Sequence, residues 1–196
     1  MTQSNPPELF VEPSVDEWGR LIRHRPSGSL FDCDLANWRT KTRCELGLST
    51  DGPVLATGHQ TLLWHPGILA KYLVVDAAAR ANGWATANLV VDQHAGPFGE
   101  LPVPVRRGEG RLGVQTLTLT PHRPDVPMAL HDAFEPTQPP RHWRPALPSV
   151  EQGVQRIIEA VSAHRDAPNA ALQMAHGLAD LMAKWATSPP HVTASD

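Results

Sequence analysis

One stretch constrains the fold more than any other: residues 53–94 read as strand, helix, strand. Pro53-Val54-Leu55-Ala56-Thr57-Gly58 is a short apolar run of the kind that forms a buried parallel strand. A loop from His59 to His65 follows, and Pro66 suits the first turn of a helix, where its missing N–H costs nothing. Ile68, Leu69, Tyr72, Leu73, Val75 and Ala79 then recur at three- and four-residue spacing and predict one apolar helical face. Gly83 is placed as a C-terminal cap, and Asn88-Leu89-Val90-Val91-Asp92 is a second apolar strand. Two antiparallel strands could share a tight turn, but a strand–helix–strand order makes a parallel βαβ unit.

The flanking segments differ in kind. Residues 1–50 read as an extended and helical lead-in: prolines recur at 6, 7, 13 and 26, and Pro-Ser-Gly28-Ser signals a turn. A short helix is expected over Val15–Ile22, with a Ser14/Glu17 capping box, and a second after an Asp34 N-cap. Residues 51–148 hold the core together with a proline-rich insertion; eleven of the chain's twenty prolines fall between 97 and 148. Within it, Leu101–Val105 and Val114–Leu119 flank Arg106-Arg-Gly-Glu-Gly-Arg111 as a β-hairpin, its prolines suited to an edge strand. Pro121–Pro148 reads as irregular. Residues 149–187 form a helical hairpin, opened by a Ser149/Gln152 capping box. One stripe is Val150, Val154, Ile157, Ile158 and Val161; the other is Leu172, Ala175, Leu178, Leu181, Met182 and Trp185. Residues 188–196 read as a tail. The expected class is therefore α/β, a Rossmann-like βαβ core with a β-hairpin insertion and a C-terminal helical pair. A doubly wound sheet usually holds five or six strands, and only two parallel ones are legible, so the domain reads as incomplete.

Composition narrows the function. Charged residues are only 19%, the formal net charge is −3, and no basic cluster occurs, so nucleic acid and anionic lipid are not expected partners. No apolar run reaches the ~18–20 residues needed to span a bilayer, and the N-terminus lacks the features of a signal peptide. Cys33 and Cys44, without a CxxC, read as free thiols of a reducing cytoplasm. No Gly-x-Gly-x-x-Gly, Walker A or Gly-x-Ser-x-Gly sequence is present, which removes the ordinary dinucleotide, P-loop and serine-hydrolase readings.

In open α/β sheets ligands gather at the carboxyl ends of the strands, near helix N-termini that favour anions. Two polar sets fall there: Thr57-Gly58-His59-Gln60 running to His65-Pro66-Gly67, and Asp92-Gln93-His94. As ligand groups, His59 and His65 would carry the chemistry, and Thr57, Gly58, Gln60, Gly67, Asp92 and His94 would bind substrate or nucleotide. The same histidines can instead cap the helix and bond loop carbonyls. His59, His65, Asp92 and His94 also suit a metal-dependent hydrolase by residue type, although their spacing matches no established ligand pattern. Arg106, Arg107 and Arg111 fit an anion or an exposed hairpin tip equally well. Lys71 and Arg80 read as solvated, as do His122, His131 and His142. His24, His164, His176 and His191 have no patterned neighbours.

Thr57-Gly58-His59-Gln60, two residues, then Leu63-Trp64-His65-Pro66-Gly67 resemble the bacillithiol-biosynthesis cysteine-ligase family, which shows Thr-Gly-Gln-Gln…Leu-Phe-Thr-Gly-Pro in the same setting. Here His59 replaces a glutamine, and His65-Pro66-Gly67 replaces Thr-Gly-Pro. The resemblance covers about residues 53–105, and the family's chains are much longer. It implies a core similar to class I nucleotidyltransferases, with loop histidines at nucleotide phosphates, ATP or another nucleotide as cofactor, and a small-molecule substrate. Asp92 and His94 would hold that substrate's amine or a metal-bound nucleotide; no residue is assigned as a ligand of a resident metal. It also implies that the chain is either an N-terminal piece or a reduced relative, and the incomplete sheet is expected to be made up by a homo-oligomer or by a missing C-terminal region. A non-catalytic or truncated relative serving as a binding module is the alternative.

Overall fold

A computed structural model describes residues 12–22, 28–60, 66–121 and 123–195. The protein is mixed α/β, with a parallel sheet of three strands, a separate antiparallel hairpin and a pair of C-terminal helices.

The βαβ unit forms as β3 (Val54–His59), α3 (Pro66–Asn82) and β4 (Ala85–Val90). Its strands run parallel, with Thr57 opposite Asn88 and His59 opposite Val90. Gly83 terminates α3 at φ +66°, a conformation that penalises any side chain with a Cβ. This early stop lets Ala85 bond to Pro53 O, so β4 begins three residues before the predicted strand and ends at Val90. Ile68 and Ala79 bury the apolar face of α3 as expected, whereas Leu73 is 38% exposed.

A third strand completes the sheet. β7 (His191–Thr193) pairs in parallel with β4, placing β4 at the centre of the order β3-β4-β7. Residues read as a tail thus hold an edge strand. Three residues between Pro189-Pro190 and the chain's last positions are too short to show a period. Helices α3 and α5 (Ala170–Met182) cover one face of this sheet. The opposite face is exposed at Ala56, Gly58 and Leu89. Parallel sheets are usually covered on both faces; this one is half covered.

The hairpin consists of β5 (Glu100–Arg106) and β6 (Leu112–Thr118). Its inward residues Leu101, Val103, Val105 and Leu117 pack with Trp143 and with Val154 and Ile158 of α4 (Pro148–Ser162). Pro102 and Pro104 point outward, so the rigid rings cost the strand no core contact. A second cluster joins Val90, Phe98 and Met128 to Val161 of α4 and to Met174, Ala175, Leu178 and Met182 of α5. Gln173, fully buried in α5, staples the irregular segment down: its amide donates to Phe134 O and Val161 O and accepts from Phe134 N.

Helix starts were legible in part. Asp34 caps α2 (Leu35–Glu45) by accepting from Asn37 N at 2.7 Å, and Asn169 caps α5 through Leu172 N. Neither predicted capping box forms. In α1 (Val15–Leu21) the Ser14 side chain makes no cap bond, and Glu17 pairs with Arg20 at 2.9 Å instead. In α4, Pro148 takes the first helical position and Leu147 the cap, which moves Ser149 inside the helix. Trp185 lies past the end of α5 and is 66% exposed, so it leaves the predicted stripe. A two-residue hairpin, β1 (Ser29–Leu30) with β2 (Cys33–Asp34), went unread. Its turn residues, Phe31 and Asp32 at φ 49° and 61°, lack the usual Asn-Gly signal.

Candidate functional site

The register brings the ends of three parallel strands to one edge. His59, Val90 and Thr193 stand in a row across the sheet, on the face that also carries Thr57 and Asn88. Val91 N donates to His59 O at 3.1 Å, and Ala194 N to Val90 O at 2.9 Å, so both neighbouring chains stay joined to β4 past the last strand residues. Helix α3 directs its N-terminus to this edge from Pro66, and Gly67 lies exposed in its first turn.

His59 is half-buried, and its Nδ1 lies 2.8 Å from Gln60 O. A carbonyl oxygen only accepts, so Nδ1 carries the proton in that bond. Neutral His59 therefore presents a lone pair at Nε2, with the ring orientation fixed by its neighbour's backbone. The Gln60 carbonyl is used in holding the ring. His65 lies outside the described residues.

Asp92 is fully buried. Its Oδ2 accepts from Ser195 Oγ, and its Oδ1 has no hydrogen-bond partner among the described residues. Its backbone is clamped too: Ala129 N donates to Asp92 O at 3.0 Å and Met128 N to His94 O at 2.9 Å. Met128 is fully buried against the helical pair, so the loop after β4 is seated on the main core. His94 lies with its ring over Gly96, where an added Cβ would sit 2.7 Å from the imidazole; only glycine leaves the ring in place.

Thr57 departs from its predicted role. It is buried beneath the edge and donates to Asn88 Oδ1 at 3.1 Å. Tyr72 OH donates to the same oxygen at 3.0 Å, and Asn88 Nδ2 lies 3.0 Å from His191 Nδ1. Burial pushes the Tyr72 phenol up from its usual range, against the smaller opposite pull of its bonds to Asn88 and Thr57. The adjoining cavity is about 20 Å³, room for one water and no larger ligand. Thr57 thus belongs to an internal polar network. Gly58 faces the opposite, exposed side, where an added Cβ would make ordinary contact with Leu89; its surroundings do not demand glycine.

The remaining candidates disperse. Arg106, Arg107 and Arg111 stay on the exposed hairpin, where Arg107 spans Gly113 to bond Val114 O and Arg111 pairs with Glu109. Lys71 is exposed, and Arg80 pairs with Asp76 at 2.8 Å. His142 is exposed, whereas His131 is buried at 8%, edge-on to Phe98 with ring centroids 4.9 Å apart. It was expected on the surface because proline-rich segments usually lie there, but Met128 and His131 of the 128–131 turn are buried, while Leu130 between them is exposed. His24 and His122 lie outside the described residues. Among the described residues, no three His, Cys, Asp or Glu side chains are grouped to hold a metal ion.

Asn88, Tyr72, Ser195 and His191 escaped the sequence reading. Asn88 sits mid-strand among apolar residues, and that interruption was the one available signal. Ser195 carried none. No family model, curated protein or solved structure matches the chain.

Proposed function

We propose that the protein binds a small phosphorylated ligand, of nucleotide type, across the carboxyl edge of a Rossmann-like parallel sheet, and serves ligase or nucleotidyl-transfer chemistry there. The observation that carries the reading is His59. Its Nδ1–H is committed to Gln60 O, which leaves Nε2 to accept a proton or, once protonated, to bond a phosphate oxygen. The N-terminus of the 17-residue α3 favours negative charge at the same edge. Asp92 supplies the complementary pole, since a buried carboxylate oxygen without a donor among the described residues suits a ligand hydroxyl or amine. The resemblance of Thr57-Gly58-His59-Gln60 to the bacillithiol cysteine ligases points to the same chemistry.

A binding module without catalysis is the second reading. It is favoured by the commitment of Thr57 to an internal network and by the sheet's exposed second face.

Thermal denaturation with ATP, ADP and inorganic phosphate tests the proposal. A nucleotide at 100 times its Kd adds about 2.7 kcal/mol of stability, or roughly 5–10 °C in Tm for a chain of this size. The shift is expected to vanish in His59→Ala. Absence of any shift, or an equal shift in that variant, overturns the reading. Nucleotide binding without turnover in the presence of amino-acid and thiol acceptors selects the module.

A further inference from the structure

Three histidines that show no pattern in sequence meet beside β7. The rings of His164 and His176 lie 5.2 Å apart between centroids, and those of His176 and His191 lie 4.9 Å apart, edge to face. His164 follows α4, His176 belongs to α5, and His191 opens the edge strand. The stack therefore fastens β7 to the helical pair.

The polarity of the next bond makes this fastening sensitive to protons. Asn88 Oδ1 already accepts from both Thr57 and Tyr72, so its amide nitrogen is the end that faces His191. Asn88 Nδ2 donates, which requires His191 Nδ1 to accept and the ring to be neutral with its proton on Nε2. Protonation of Nδ1 would set N–H against N–H₂, and turning the amide over would force the Thr57 and Tyr72 hydroxyls from donors into acceptors, leaving their own protons to find new partners inside the fold.

From this geometry we infer that β7 is an acid-released latch on the carboxyl edge of the sheet, with His191 as its trigger. The groups facing the trigger agree in sign or are already engaged. His176 stands against it from α5, and His164 stands behind His176. Asp180 of α5 is taken by His164 Nε2 at 2.7 Å. Asp76 of α3 lines the cavity beside His191 and pairs with Arg80. Glu45 of α2 faces His191 across an open cleft, where solvent weakens its pull. Burial first, then His176 and His164, hold the His191 imidazole down at about 4. Burial and His164 lower His176 in the same direction, against a smaller opposing pull from Asp180.

Release reaches the site directly. β7 has three residue pairs with β4, and beyond them Ser195 is the only described donor to the Asp92 carboxylate. When β7 leaves, the Asp92 carboxylate loses that donor and β4 becomes an edge. This regulatory consequence rests on the binding reading above; the latch itself can be read without any ligand.

The test is a titration of the full chain from pH 8 to pH 4.5, followed by amide NMR. Resonances of Val192, Thr193 and Ala194 are expected to move to unpaired positions while those of Met174 and Val161 in the helical core persist. A base held near 4 when bound and near 6.5 when free raises the open-to-closed ratio by up to about 30-fold between pH 8 and pH 5. His191→Gln, which can accept from Asn88 but not charge, should abolish the transition. His176→Gln leaves the Asn88 bond intact and should move it to lower pH. The latch is overturned if β7 amides hold until the core itself unfolds, or if both variants release at the wild-type pH. ATP binding at pH 7.5 and 5 separates the two proposals. No binding at either pH defeats the nucleotide reading alone. Equal binding at both pH values, with β7 released, defeats only the regulation.

Discussion

The hairpin β5–β6 and the parallel sheet β3-β4-β7 each lay one face on the helices, yet they do so with different chemistry. Along β5 the burial strictly alternates, and every buried position is apolar. The covered face of the parallel sheet instead holds Thr57, Asn88 and His191 in a chain of hydrogen bonds, with Asp92 and Ser195 just above. Area removed from water depends little on direction, so the hairpin tolerates any side chain of the right shape. A buried polar chain holds only while each donor meets an acceptor. The first region keeps the fold; the second fixes where groups at the strand ends point.

The comparison can be broken at several places, and the largest effect belongs to the apolar cluster beneath the parallel sheet. Phe98 is 1% exposed and edge-on to His131 within the helical cluster. Phe98→Ala is expected to cost about 3–5 kcal/mol in urea denaturation, with the ligand-dependent shift retained in the fraction that folds. Asn88→Leu strands the hydroxyls of Thr57 and Tyr72 and the ring of His191. We expect a loss of about 2–3 kcal/mol, together with weakened protection of β7 in hydrogen exchange. A loss as small as that of an exposed substitution would show that the polar chain directs nothing.

Caps come next in size. Asn169→Ala should cost about 1 kcal/mol, because Asn169 accepts from Leu172 N, while Ser149→Ala should leave Tm unchanged, because no cap bond is made there. Equal effects at the two positions would contradict the helix starts described here. The smallest effect is spectroscopic. Tyr72 is the only tyrosine, so absorbance at alkaline pH reports it alone. Its phenol should titrate above 10 in the native chain and near 10 in denaturant, burial being the larger cause. An acid held up in the folded state contributes stability that is full below pH 10 and is lost as pH rises through the folded value. A native titration at or below 10 would mean that water reaches the Thr57–Asn88–Tyr72 network.

The same contrast explains what the sequence could reveal. β3, α3 and β4 were legible because Val54 to Asp92 carry local signals: apolar runs, a proline start and a glycine stop. The hairpin and both C-terminal helices were legible by period. The site was half legible. His59 and Asp92 stand at strand ends, where topology sends ligands, but Thr57 was assigned to a ligand because its bond to Asn88 joins residues 31 apart. His131, His191 and Ser195 are defined by partners from distant segments, and no local rule reaches them. Both capping boxes failed for a local reason of another kind: the motif matched, but a competing ion pair at Glu17 and a proline at position 148 used the positions differently.

The remoteness of β7 has a kinetic consequence. His191 bonds to Asn88 across 103 residues of chain, and Ser195 bonds to Asp92 across the same separation. β3, α3 and β4 close over short loops, and α4 and α5 meet across one turn, so both units can form early. Docking β7 must wait for them, since its few contacts cannot offset the entropy of so long a closure until both of its walls exist. The carboxyl edge of the sheet therefore closes only after the βαβ unit and the helical pair that flank it are in place.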